Sequence, residues 1–173
     1  MKAAAMTAPP LQLNYYLLHS FTLENKLEAS EGMLADPRQI NLETHHISAS
    51  GRPEANPADE LDWRITLQLA TAKKYAHELP WSFELTAMGY FTVSPGFRQD
   101  KDFIDKLTTN GLSMLYGMAR QYCFQATAMS PYGNAFLPSV SFQPSPAAKP
   151  KAKAKSQAGA KTASKRAHSR KEA

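Results

Sequence analysis

The segment WSFELTAMGYFTV, residues 81–93, alternates apolar and polar side chains with a period of two along its whole length. The segment LDWRITLQLA, residues 61–70, repeats that pattern. This period is typical of a strand that buries one face, so both segments are predicted to be strands. Residues 71–80 form a short connection with Pro80 at the start of the second strand. The two strands are therefore predicted to pair antiparallel.

Two further strands are predicted upstream, at residues 11–24 and 39–48. The first alternates less cleanly, because Tyr16 and Leu18 fall out of phase with the apolar positions around them. The segments 28–38 and 50–60 are rich in Gly, Pro, Asp and Asn, and loops are predicted there. Four strands joined by moderate loops indicate one antiparallel sheet.

The spacing of apolar residues changes after Pro95 and Gly96. From residue 100 onward they recur at three and four, which predicts helix, and Asn110 with Gly111 interrupts the pattern. We therefore expect a short helix followed by a long one that ends by Ser130 and Pro131. The predicted fold class is α+β: a four-stranded antiparallel sheet packed against a short and a long helix.

Charge divides the chain into two parts. Residues 143–173 hold nine Lys or Arg and one acidic residue, whereas the other 142 residues hold 11 basic and 14 acidic side chains. The last segment contains no aromatic residue and no Leu, Ile, Val or Met, so it lacks the side chains that could offset the entropy of ordering. The predicted organisation is a flexible N-terminus at 1–10, a domain at 11–142 and a disordered Lys/Ala-rich basic tail at 143–173.

The chain offers few groups that could converge on a catalytic centre. Its one cysteine, Cys123, falls on the apolar helical stripe, and no nucleotide-binding, nucleophile or zinc motif is present. His45 and His46 lie on the predicted strand 39–48, where neighbouring side chains point to opposite faces and cannot share an ion. We therefore expect no enzyme activity, no catalytic residues, no cofactor and no metal. No signal peptide or membrane-spanning segment is visible, which favours a cytoplasmic protein.

Thioether and aromatic side chains are concentrated in and after the helical region. They are Met114, Met118, Met129, Tyr116, Tyr122, Phe124, Tyr132, Phe136 and Phe142, together with Met88 on the strand before it. Such side chains adapt their packing and suit a binding surface that accepts many apolar partners. A core or an oligomer interface is the favoured explanation for each of them individually, whereas the number of aromatic residues just outside the helix favours some exposed groove for the group.

The segment 112–142 resembles the carboxyl-terminal signature of the SecB family of protein-export chaperones. Leu115, Tyr116, Ala119 and Arg120 match the family's first run, and Leu137, Val140 and Phe142 match its second, at the same separation. The segment 89–91, Gly-Tyr-Phe, is similar to the end of a family strand. Gly117 stands where the family has Pro, Ser113 where it has Asn, and Pro138 is displaced by one position. The resemblance spans residues 11–142 and identifies a divergent relative.

The resemblance implies an ATP-independent chaperone that holds unfolded preproteins and delivers them to the translocase ATPase, SecA. It implies a homotetramer, a dimer of dimers, whose grooves bind unfolded polypeptide. The implied groove residues are Leu115, Tyr116, Met118, Tyr132, Phe136, Leu137, Val140 and Phe142. The implied subunit contacts are Phe83, Leu85 and Ala87, for which burial within one chain is the competing explanation. Glu84 matches an acidic residue that the family uses toward the ATPase.

Two alternative functions remain. Relatives of SecB also act as chaperones in toxin–antitoxin systems. The basic residues of 149–171 indicate weak, salt-sensitive contact with nucleic acid or the ribosome, and without interleaved aromatic residues that contact lacks base recognition.

Overall fold

The computed structural model describes residues 9–25, 40–130 and 132–143. Its main sheet has four antiparallel strands in the order β1-β5-β4-β3. These are β1 Leu11–Asn25, β3 Ile47–Asn56, β4 Asp59–Thr71 and β5 Trp81–Val93. A second, two-stranded sheet pairs β2 Ile40–Asn41 with β6 Ala135–Phe136 in parallel. The helices are α1 Pro95–Arg98 and α2 Phe103–Thr127, and 3₁₀ segments lie at Thr44–His46 and Lys73–Glu78. The predicted α+β class is confirmed.

The predicted antiparallel pair is confirmed in β4 and β5. Leu67 lies opposite Ala87 and Leu69 lies opposite Leu85, so both strands turn the same alternate positions toward the helix. Those positions are buried on both strands, while Arg64, Gln68 and Glu84 are exposed on the other face. We refer to these two faces as the helix face and the outer face of the sheet.

The imperfect alternation in β1 has a structural cause. The register of β1 against β5 shifts between Leu13 and Tyr15, and again between Leu18 and Ser20. Between these two bulges Tyr16 pairs with Gly89 on the helix face, and Tyr15 pairs with Tyr90 on the outer face. A simple period of two places Tyr15 with the apolar positions and Tyr16 out of phase, because it does not include the extra residues of the bulges.

The predicted strand at 39–48 and loop at 50–60 are wrong in part. Residues 47–56 form β3, which pairs with β4 along its length, and the chain ahead of it contains only the short β2 and a 3₁₀ turn at Thr44–His46. Gly51 and Pro53 suggested a loop, but β3 is an edge strand, where a missing N–H donor is tolerated. Histidines 45 and 46 consequently lie on a 3₁₀ turn and do not alternate across a strand.

The predicted interruption of the long helix at Asn110 and Gly111 is also wrong. Helix α2 continues through both residues, and α1 is a separate single turn that precedes it. Gly111 is buried against the sheet, where a Cβ atom would overlap the side chain of Ile65. A Cβ at Gly51 would likewise overlap Leu112. Glycine therefore permits close approach of helix and sheet here, which outweighs its low helix propensity.

The hydrophobic core lies between α2 and the helix face of the sheet. Ile65, Leu67, Leu107 and Leu115 are fully buried there. Trp63 and Phe103 meet edge to face, with ring centroids 5.3 Å apart, and tie the first turn of α2 to β4. The predicted loop at 28–38, most of the N-terminus at 1–10 and the basic tail after Gln143 lie outside the described residues.

Candidate functional site

A groove runs between strand β1 and helix α2 on the helix face of the sheet. It has a volume of about 150 Å³ and is lined by Tyr16, Leu18, Leu85, Ala87, Met118, Ala119, Gln121, Tyr122 and Gln125. Tyr16 is 54% exposed and Tyr122 is 40% exposed. The Tyr122 ring packs edge to face on Phe21, with centroids 5.0 Å apart, so its position on the helix is fixed by the strand. The groove therefore has an apolar floor and two aromatic rims.

Strand β1 gives this groove a second property. It stands at the edge of the four-stranded order, and within the described residues no strand pairs with its outer side. An unpaired edge presents alternate N–H and C=O groups that can hydrogen-bond to another extended backbone. Apolar side chains and main-chain hydrogen-bonding groups therefore lie side by side along β1.

The segment after α2 is fastened back onto the helix through main-chain carbonyls. Tyr116 Oη donates a hydrogen bond to the carbonyl of Pro138 at 2.9 Å, and Arg120 Nε donates to the carbonyl of Leu137 at 3.1 Å. The Phe142 ring packs on Tyr116 with centroids 5.7 Å apart. The residues that carry the sequence resemblance thus hold the end of the domain against α2.

The structure divides the eight predicted groove residues into two sets. Leu115, Tyr116, Tyr132 and Leu137 are buried in the core, whereas Met118, Phe136, Val140 and Phe142 are half-buried at its margin. Met118 lines the groove described above. Phe136 packs on Phe124, with ring centroids 4.7 Å apart, at the C-terminal part of α2. Peptide binding by these eight residues remains a prediction.

The three predicted subunit contacts lie on the helix face of β5. Phe83, Leu85 and Ala87 are all buried within the single chain. Leu85 and Ala87 also form part of the groove floor. Glu84 lies on the outer face and is exposed. Its contact with an ATPase remains a prediction.

A larger and more polar depression of about 410 Å³ lies on the outer face. The stacked pair Tyr15 and Tyr90, with ring centroids 4.5 Å apart, forms part of its lining. Arg64, which is paired with Glu54, borders it. The Arg64 guanidinium keeps the pKa of the Glu54 carboxyl below its usual value through a hydrogen bond. The polar groups of this depression therefore already form bonds within the domain, whereas the first groove is bordered by exposed apolar side chains.

Two titratable groups in α2 are shifted by burial. Burial raises the pKa of the Tyr116 hydroxyl to about 12, and the same cause raises the pKa of the Cys123 thiol to about 12. Both groups are therefore neutral near pH 7. A neutral buried thiol is a poor nucleophile, which agrees with a structural role for Cys123.

Sequence reasoning missed Tyr16, Leu18 and Tyr122 as parts of one surface. The first two were visible only as a disturbance of the β1 alternation. Tyr122 lies at the edge of the apolar stripe of helix α2. Their meeting depends on the two bulges of β1, which no local pattern revealed. The disturbed alternation of β1 and the aromatic character of Tyr122 were the available signals.

Among the described parts of the chain, no helix is long and apolar enough to cross a membrane.

Comparison with known proteins gives likeness in structure only. No protein-family model matches the chain, and no curated protein matches its sequence. One similar solved structure is the SecB-like chaperone Rv1957 of Mycobacterium tuberculosis, in complex with a ChAD peptide from the antitoxin HigA1. It is 12% identical, has a TM-score of 0.49, and the match covers 77% of this chain and 92% of that one. Another is a protein of unknown function from Streptococcus agalactiae, at 12% identity and a TM-score of 0.45, covering 81% of this chain and 99% of that one. At these values neither likeness assigns a function to the chain.

Proposed function

We propose that this protein is a SecB-like chaperone that holds unfolded polypeptide in the groove between β1 and α2. The observation that carries the proposal is the pair of exposed aromatic rims, Tyr16 and Tyr122, beside a strand edge that no described strand occupies. An unfolded client offers apolar side chains and unpaired backbone, which are the two features that this surface can bind.

Binding of this kind requires no fixed client sequence. Tyr16, Tyr122 and Met118 can pack against side chains of different shape, and the edge of β1 forms hydrogen bonds only with the client main chain. No nucleotide is needed, because holding depends on an equilibrium between bound and free client. Several short sites along one client would raise the overall affinity through multivalency.

The finer parts of the proposal follow from the sequence resemblance. They are a homotetramer, preproteins as clients, and delivery to SecA through the exposed Glu84. The burial of Phe83, Leu85 and Ala87 within one chain favours a core role for these three residues over subunit contacts. A toxin–antitoxin client and a ribosome or nucleic-acid contact through residues 149–171 are the competing partners. Capture of clients from cells separates these three partners, because it returns secretory precursors, a toxin or antitoxin, or ribosomes.

Site-specific photo-crosslinking tests where the client lies. The photoreactive residue p-benzoylphenylalanine is placed at Gln125, an exposed residue of the groove, or at Gln68, an exposed residue of the outer face. The full chain is then irradiated with a permanently unfolded, reduced and carboxymethylated protein. We expect crosslinks from position 125 and few from position 68. Equal yields at both positions, or suppression of aggregation that requires ATP, would contradict the proposal.

A further inference from the structure

Two histidines and a carboxylate meet at the end of the sheet where β3 begins and β4 ends. The ligand atoms of His45, His46 and Glu78 all lie within 4.8 Å of one another. The histidines belong to the 3₁₀ turn Thr44–His46 and the glutamate to the 3₁₀ segment Lys73–Glu78. No element of the polypeptide groove contributes to this cluster.

The register of the sheet fixes this meeting. Ile47 lies opposite Thr71 in the antiparallel pair of β3 and β4, so the residues just before the one strand meet those just after the other. The backbone N–H of Ala72 donates to the carbonyl of His46 at 2.8 Å and locks the two connections together. The cluster is therefore supported by main chain on both sides.

The His45 ring is arranged for binding a cation. Its Nδ1 lies 3.3 Å from the Glu43 carboxylate, and a proton on that nitrogen would face the carboxylate and leave the lone pair on Nε2. The Tyr75 ring packs edge to face on the same imidazole, with centroids 4.6 Å apart. Metal-binding histidines in proteins commonly have such a carboxylate on the second nitrogen.

We propose that His45, His46 and Glu78 form a binding site for a divalent transition cation of the zinc class. Two imidazole nitrogens and one carboxylate oxygen suit Zn²⁺, with water completing the tetrahedron. Bonds of ~2.1 Å bring neighbouring ligand atoms to roughly 3.4 Å from one another in that geometry. The side chains must therefore close inward, and the exposed His45 and Glu78 side chains have room to do so.

Coordination by His46 requires one internal proton shift. Its Nδ1 accepts a hydrogen bond from the Glu43 backbone N–H at 3.0 Å, so the ring proton lies on Nε2, 3.3 Å from Glu78. To bind the ion through Nε2, the neutral ring moves this proton to Nδ1 and gives up the bond from Glu43. The ring gains and loses no proton overall, and the lost bond moderates the affinity.

A bound ion would link the connection before β3 to the connection after β4. Ligands that bind only the folded state raise the folding equilibrium constant about 100-fold when present at 100 times the dissociation constant. The inference is independent of client binding, because the site and the groove share no residue.

The test uses the full, untagged chain and Zn²⁺ alone. Calorimetric titration should give one ion per chain, and the Tm should rise with Zn²⁺. His45→Ala and Glu78→Gln should each weaken binding at least tenfold. His19→Ala is the control, since His19 lies on β1 and outside the cluster, whereas the His77 Nε2 lies 3.8 Å from the Glu78 carboxylate. This control should change binding less than twofold.

Heteronuclear NMR of the imidazole nitrogens gives a second measurement that does not depend on the variants. Zn²⁺ should shift the nitrogen resonances of His45 and His46 and leave that of His19 in place. No heat of binding at millimolar Zn²⁺, or equal binding by the wild type and Glu78→Gln, would overturn the proposal. Loss of binding in His19→Ala would also overturn it.

Discussion

Replacement of Tyr16 by Ser should weaken client binding more than replacement of its neighbour Tyr15. The two side chains have almost the same exposure, 54% and 57%, and belong to one strand, but they lie on opposite faces of the sheet. Only Tyr16 borders the groove. Tyr15→Ser is therefore a control matched in residue type, exposure and position.

The size of the effect follows from the area that a client would cover. A tyrosine side chain buries about 150–250 Å² when fully covered, so the exposed half of Tyr16 offers roughly 100 Å². At about 25 cal/mol per Å² this area contributes up to about 2.5 kcal/mol. Partial cover halves that value. Because about 1.4 kcal/mol corresponds to a tenfold change, Tyr16→Ser should raise Kd by about eightfold to about 60-fold.

Fluorescence anisotropy of a labelled, permanently unfolded protein measures these dissociation constants, with the full chain as titrant. Stability should follow the opposite order. Tyr15 stacks on Tyr90, an interaction of about 0.5–1.5 kcal/mol, so Tyr15→Ser should lower the free energy of unfolding more. A result in which Tyr15→Ser weakens client binding as much as Tyr16→Ser would refute the assignment of the groove.

Three further predictions concern the fold. Gly111→Ala should lower the free energy of unfolding by about 1–3 kcal/mol because its Cβ overlaps Ile65, whereas Gly117→Ala in the same helix meets no atom within 4 Å and should be neutral or stabilising; equal effects in denaturant titrations would contradict this packing. Thr127→Val should destabilise by about 1–3 kcal/mol, since it leaves the buried Ala135 N–H without its 2.8 Å acceptor, while Thr127→Ser should retain most of the stability. Stability should fall as pH rises from about 9 towards 12, because the folded chain keeps protons on Cys123 and Tyr116 that the unfolded chain releases, and Cys123→Ala should flatten that decline in equilibrium unfolding measurements.

The strands with strict alternation could be predicted from sequence to within a few residues, because burial on one face dictates every second side chain. The edge strand β3 could not, since Gly51 and Pro53 also suit a loop. The error at Gly111 was the opposite one, since a break was predicted where helix α2 is continuous. Helix propensity is a local quantity, whereas the need for a residue without a Cβ arises from Ile65 on another element.

The candidate groove was only partly predictable for a related reason. Met118 stood out as a thioether on the helix, and Leu85 and Ala87 as buried positions of a strand. They border the same groove as Tyr16 because two bulges in β1 place Tyr16 on the helix face of the sheet. A bulge adds a single residue to one strand and leaves the composition unchanged, so in the sequence it appears only as a break in the alternation of apolar and polar residues.

The parallel pairing of β2 with β6 bears on the order in which the protein can fold. The backbone N–H groups of Ile40 and Leu42 find their acceptors at Asn134 and Phe136, which are among the last described residues to be synthesised. During translation β2 is therefore synthesised before strands β3, β4 and β5 and helix α2, and its hydrogen bonds can form only once β6 has followed them. Contacts of such long sequence separation slow folding, so we expect closure of this small sheet to be a late step. A nascent chain that stops short of Ala135 would expose the end of α2 until synthesis resumes.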